Sequence, residues 1–137
     1  MLMAAPAEAQ QRPRPAERPA PPPAAAAPPA EAPPAAYEPQ LLKLAEVLGA
    51  MSFLSELCNV PAADGKGDLW RRKMAELMEA EAQGEGQKGR LAGAFNRGYA
   101  GYRTTYRACT PNGRLALERL GRDGARLASE LSGRFGS

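Results

Sequence analysis

A chain of 137 residues with 18 Lys/Arg, 15 Asp/Glu, no His and two Cys is sized for one domain rather than two. Without histidine there is no Ser-His or Cys-His nucleophilic system and no imidazole metal site, and two thiolates alone cannot complete a zinc site. No apolar run approaches the roughly 18 residues of a membrane span, and Cys-x-x-Cys, P-loop and dinucleotide fingerprints are all missing, so no catalytic residue, cofactor or metal is expected.

The chain begins with a change of composition. Ala7-Glu8-Ala9 before Gln10 has the small-x-small pattern of a signal-peptidase site, and Leu2 to Ala5 resembles the tail of an apolar signal core. Residues 1–9 therefore read as the remnant of a signal peptide whose basic and main apolar parts are not present. Residues 10–36 are nearly all Pro, Ala, Glu, Arg and Gln. They bury too little apolar area to offset chain entropy and are expected to be a disordered, polyproline-II-prone spacer.

Residues 37–137 carry helical periodicity. A first helix is predicted from about Pro39 to Leu57, with Leu41, Leu44, Leu48, Met51, Leu54 and Cys58 at i+3/i+4 steps forming one apolar face. Asn59-Val60-Pro61 stops it, and a Gly/Asp-rich loop runs from Ala62 to Gly67. Asp68 is the predicted N-cap of a second helix, with Trp70, Met74 and Leu77 as its inner stripe and Gly84 and Gly86 at its end. A third helix is predicted over about Lys88 to Ala108, where Leu91, Phe95, Gly98, Tyr102 and Cys109 trace one face with Tyr99 and Tyr106 beside it. Gly93, Gly98 and Gly101 each cost about 1 kcal/mol against Ala in a helix interior, which predicts close approach of a neighbouring helix or a large side chain such as Trp70. Thr110-Pro111 reads as N-cap and first helical position of a fourth helix carrying Leu117, Leu120, Leu127, Leu131 and Phe135.

These elements predict an all-α, up-down-up-down four-helix bundle. In that topology the first and third helices run parallel, so their C-terminal ends share one end of the bundle. Cys58 and Cys109 sit at those ends, which supports a disulfide between them. The alternative is two free core thiols in a cytosolic protein. A bridge closing about 50 residues stabilises by roughly 4 kcal/mol through the entropy of the unfolded chain.

Charge is unevenly spread. From Pro39 to Gln87 there are five Lys/Arg and eight Asp/Glu; from Lys88 to Ser137 there are ten Lys/Arg and three Asp/Glu, nine of the ten being Arg. Two readings follow: complementary halves of one bundle, or an anion-facing surface on the second half. Arg97, Arg103 and Arg107 share the third helix with Tyr99, and Arg119, Arg122 and Arg126 form an i+3/i+4 row on the fourth. Arginine grips carboxylates and phosphates in a bidentate fork, so these seven residues are the candidate binding surface.

Several segments together are distinctive: Tyr37-Glu38-Pro39-Gln40-Leu41-Leu42, Leu48-Gly49, Leu57-Cys58, Trp70-Arg71, Ala94-Phe95-Asn96-Arg97-Gly98-Tyr99, Thr105-Tyr106 and Cys109-Thr110. They resemble a family of small exported alphaproteobacterial proteins of unknown function, described by a signal peptide, a Pro-rich spacer and a two-cysteine domain. The resemblance covers about Tyr37 to Gly136, and it implies export to the periplasm without implying an activity. This sequence departs from the pattern in the incomplete signal peptide.

The function expected from these features is non-enzymatic binding or structural work in the cell envelope, with an anionic envelope component or an acidic protein as partner. Two alternatives stay open. A cytosolic helical protein could use the same arginines on nucleic acid through phosphate contacts. An envelope enzyme would have to rely on carboxylates, for which Glu76, Glu79 and Glu81 are the candidates.

Overall fold

The computed structural model describes residues 36–135, with side chains through Gly133. The signal-peptide remnant (1–9), all but the last residue of the spacer (10–36) and the side chain of Phe135 lie outside the described residues. Four helices follow in order: α1 (Glu38–Leu57), α2 (Leu69–Glu81), α3 (Glu85–Thr105) and α4 (Pro111–Phe135). No strand occurs among the described residues, and no helix there is long and apolar enough to cross a membrane.

α1 is the axis of the bundle, and the other three helices pack around it. From Val47 to Ser55 every residue is buried. Nine consecutive positions exceed two helical turns, so this stretch is covered on all sides, as a helix in the centre of a core must be. The single leucine face read from spacing is therefore only part of its buried surface: Val47, Ala50, Phe53, Ser52 and Ser55 complete it. Leu41 and Leu54 of α1 and Leu91 of α3 are the largest fully buried apolar side chains. Each contributes about 1.5–3 kcal/mol relative to exposure.

Pairwise contacts fix the directions. Glu38 accepts from Arg90 Nε at 2.8 Å, Phe53 meets Tyr99 edge to face at 5.5 Å, and Cys58 is bonded to Cys109. Positions rise together in this series, so α1 and α3 are parallel. Against α1, α2 and α4 run the other way. Trp70 Nε1 donates to Ser55 Oγ at 2.9 Å near the start of α2, while Gln83 beyond its end donates to the Tyr37 hydroxyl at 3.2 Å. On α4, Gly121 lies against Met51 and Gly124 against Val47 and Leu44. The bundle is up-down-up-down.

The α1–α3 seam is a backbone-to-backbone contact. A Cβ on Gly49 would overlap the Phe95 carbonyl oxygen and stand 2.8 Å from its carbonyl carbon. Reciprocally, a Cβ on Gly98 would overlap the Glu46 carbonyl oxygen and stand 2.8 Å from that carbon. Only a glycine hydrogen fits at either point, the arrangement that lets Cα–H groups face carbonyls across a helix pair. Of the three glycines expected to mark a close approach, Gly98 does so. Gly93 meets only the tip of its own helix's Arg97, and Gly101 meets nothing within 4 Å. The neighbour at Gly98 is the α1 backbone rather than Trp70.

Helix ends follow local chemistry. Asp68 caps α2, accepting from the Trp70 and Arg71 amides at 2.9 and 3.3 Å. Thr110 Oγ1 accepts from the Gly113 amide at 3.1 Å and caps α4. α3 begins three residues before the predicted Lys88 and ends three before the predicted Ala108. The early start is held by Gln87, whose side chain reaches back to accept from the Gln83 amide at 2.7 Å, a variant of the capping box. The helix stops because Tyr106 is extended. Cys109 therefore lies in the short link to α4 rather than on α3, and Gly86 lies in the first turn of α3 rather than at the end of α2.

Candidate functional site

The disulfide joins Cys58, just past α1, to Cys109 across 51 residues, with Cα atoms 5.0 Å apart. It anchors the Tyr106–Thr110 link to the C-terminal end of α1. That link forms one end of a cleft between α3 and α4. These two helices do not pack closely on each other, and the gap is lined by Tyr102, Thr105 and Tyr106 on one side and Asn112, Leu115, Ala116, Arg119, Leu120 and Asp123 on the other. Its volume is about 410 Å³.

Tyr102 and Tyr106 stack face to face in this cleft, centroids 5.8 Å apart and planes 12° apart. A Cβ added at Gly113 would stand 3.7 Å from the Tyr106 ring, so the first turn of α4 borders the pair. Burial pushes the Tyr102 phenol above its ordinary range, helped by Tyr106 and by the nearby carboxylates of Glu46 and Asp123. It stays a neutral hydrogen-bond donor at ordinary pH. Among the described residues, neither phenol hydroxyl, nor the Asn112 side chain, nor the Arg119 guanidinium has a protein partner.

The arginines expected to form one surface are all exposed, but they do not share a face. Arg97 and Arg103 are six residues apart, about one and two-thirds turns, which puts them on opposite flanks of α3. Arg107 lies beyond the helix, next to Tyr106 in the link. Arg119, Arg122 and Arg126 keep their i+3/i+4 row along α4, and Arg126 is paired with Asp123 at 3.2 Å. Among the described residues Arg97, Arg103, Arg107, Arg119 and Arg122 form no ion pair. Arg90 does reach across the two charge halves, its Nη2 lying 2.7 Å from Glu38.

Tyr99 is not beside the α4 arginines. Its hydroxyl donates to Glu56 at 2.6 Å, and the Arg71 guanidinium lies over its ring at 5.1 Å and over Phe95 at 5.5 Å. The hydrogen bond to Glu56, together with burial, raises its phenol above the usual range. Tyr99 thus belongs to a structural network at the start of α2. There the buried Ser52 hydroxyl donates to Asp68, and Arg71 bridges Asp68 at 3.2 Å and Glu56 at 3.8 Å. The tyrosines that accompany Arg119 are Tyr102 and Tyr106. Both also pack against the buried cluster of Val47, Ala50, Met51, Phe53, Leu54 and Leu120, so their spacing along the chain serves the core as well as the cleft.

Other concavities have a different character. A groove of about 510 Å³ between α2 and α4 is floored by Leu44, Leu48 and Met51 and walled by Trp70 and Leu77; it is almost wholly apolar. The carboxylates considered for catalysis do not converge: Glu76 borders this groove, Glu81 borders a separate cavity beside Tyr37, and Glu79 is exposed on α2. Among the described residues no cluster of three or more Cys, Asp or Glu could hold a metal ion.

Together these features define a disulfide-closed, all-helical domain with an arginine-bearing cleft. A family profile described as a protein of unknown function, DUF2385, matches residues 36–135. The chain belongs to that family, and the match spans all four helices. No curated protein and no solved structure matches it.

Proposed function

We propose that this is an exported, non-enzymatic binding domain of the cell envelope, working in the periplasm through its α3–α4 face on an anionic partner. The observation that carries the reading is Arg119, exposed and without an ion pair among the described residues, lining a cleft whose two phenols also lack protein partners there. Unengaged donors around one guanidinium favour an oxyanion. The Cys58–Cys109 bond supports an oxidising compartment, because such bonds persist outside the reducing cytosol. The scattered carboxylates support a binding role over general acid–base chemistry, which needs two groups positioned on one substrate.

Two measurements test this reading. Intact mass of the protein from fractionated native cells, taken without reductant, is expected to show a periplasmic species beginning at Gln10 and about 2 Da lighter than its dithiol. A cytosolic dithiol form would overturn export and turn the same arginines toward nucleic acid. Replacing Arg119, Arg122 and Arg126 together with Gln is expected to abolish salt-sensitive binding to polyanions. Unchanged, salt-insensitive binding would sink the anionic-partner reading.

A further inference from the structure

We propose that the α3–α4 cleft is a pocket for a carboxylated saccharide, an inference that rests on the anionic-partner reading and names its ligand class. Its volume of about 410 Å³ falls in the roughly 300–1,000 Å³ range of small-molecule sites. Arg119 is the single cation among the lining residues, and the Asp123 carboxylate lines the same cleft. Asp123 is already paired with Arg126 at 3.2 Å, so Arg119 leaves one positive charge in the cleft, which suits a monoanionic carboxylate better than a phosphate dianion or a polyphosphate.

The remaining lining matches hydroxyls. Each phenol of Tyr102 and Tyr106 can both donate and accept, as can the Asn112 amide, and Asp123 accepts. Thr105 already donates to the Gly101 carbonyl at 3.1 Å, which leaves its oxygen as an acceptor. A sugar ring presents hydroxyls at its rim and C–H groups on its faces. Leu115, Ala116 and Leu120 supply the apolar patches that such faces need. The site is preorganised: the tyrosines stack on each other, and the link behind them is bonded to α1. Ordering these groups therefore takes little from binding.

The test titrates the full oxidised chain, followed by amide NMR shifts and calorimetry, with galacturonic acid, its neutral counterpart galactose, inorganic phosphate and phosphatidylglycerol vesicles. Galacturonic acid is expected to bind and to shift the amides around Tyr102, Tyr106, Asn112 and Arg119. Affinity is expected to fall about ten- to hundredfold in Arg119→Gln, the size of a lost charged hydrogen bond. Neutral galactose should lose affinity similarly. Arg103→Gln, on the other flank of α3, should change nothing, and Tyr102→Phe should weaken binding while leaving the thermal transition in place. Vesicle or phosphate binding without saccharide binding overturns this inference and leaves the anionic-partner reading standing; binding of none of the anions removes both. Saccharide shifts centred on another face, or an Arg119→Gln variant that binds as well as the parent, also overturn it.

Discussion

α3 meets its two neighbours in opposite ways. Toward α1 it presents Gly98, and the backbones touch with no room for a single added carbon. Toward α4 it presents Tyr102 and Tyr106 across a gap of about 410 Å³. On the first side polar groups are satisfied within the protein: Tyr99 by Glu56, Glu38 by Arg90, Ser55 by Trp70. On the second side, the phenols, Asn112 and Arg119 have no partner among the described residues. Packing and internal pairing mark the part of the molecule that maintains the fold. On the cleft side the donors are left to solvent, which is the contrast that the proposed binding role rests on.

The sharpest way to break this contrast is at the seam. Gly49→Leu forces a branched side chain into the Phe95 carbonyl, and no flexible neighbour can yield. Overpacking costs about 1–3 kcal/mol where side chains can adjust, and more where they cannot, so this variant is expected to lose its cooperative urea transition by circular dichroism. Gly101→Ala, three residues from Gly98 but facing open space, should instead gain up to about 1 kcal/mol. If both variants melt like the parent, the seam is not where the structure places it.

Removing the bridge comes next. Cys58→Ser with Cys109→Ser should lower unfolding free energy by about 4 kcal/mol, the entropy of an unfolded loop of this length. Equal urea midpoints for oxidised and reduced protein would argue against it. Trp70→Phe leaves the buried Ser55 hydroxyl without its indole donor, and a loss of about 1 kcal/mol is expected, plus whatever packing the smaller ring forfeits.

Smaller effects separate the two sides by titration. Tyr99 is raised above 10.0 chiefly by its hydrogen bond to Glu56. The neutral phenol is the form that folding favours, so its contribution to stability is fully present below pH 10.0 and fades as pH rises through the elevated folded value. Arg71, which also faces this ring, opposes the rise. In Glu56→Gln the ultraviolet phenolate titration should shift toward lower pH, and an unmoved curve would refute the assignment. Smallest of all, Arg119→Gln should change stability by no more than about 0.5 kcal/mol. A larger loss would mean that the cleft arginine supports the fold.

Much of the architecture was legible because it rests on local signals. Apolar spacing marked four helices, Asp68 and Thr110 announced their caps, and the parallel placement of the first and third helices brought the two cysteines together. Legibility failed where a residue's meaning depends on what lies opposite. Nothing in the apolar spacing of α1 singles out Gly49, yet with Gly98 it makes the closest glycine-to-backbone approach among the described residues. Ser52 and Ser55 carry no signal in the apolar spacing of α1, but they are buried partners of Asp68 and Trp70. Tyr99 and Tyr102 are three residues apart on one helix; one turns to α1 and α2, the other to α4, and only tertiary placement distinguishes them. The Gly84-x-x-Gln87 spacing was a usable sign that α3 starts early.

With two cysteines in the sequence, only one intramolecular pairing can form, and scrambled isomers do not arise. The bond also constrains the topology. If α3 were threaded antiparallel to α1, its far end would move the length of a 21-residue helix, about 30 Å at 1.5 Å per residue, and the thiols would be out of reach. In the folded domain the bond is therefore compatible with parallel α1 and α3 and not with the antiparallel threading, and once formed it holds the native helix directions.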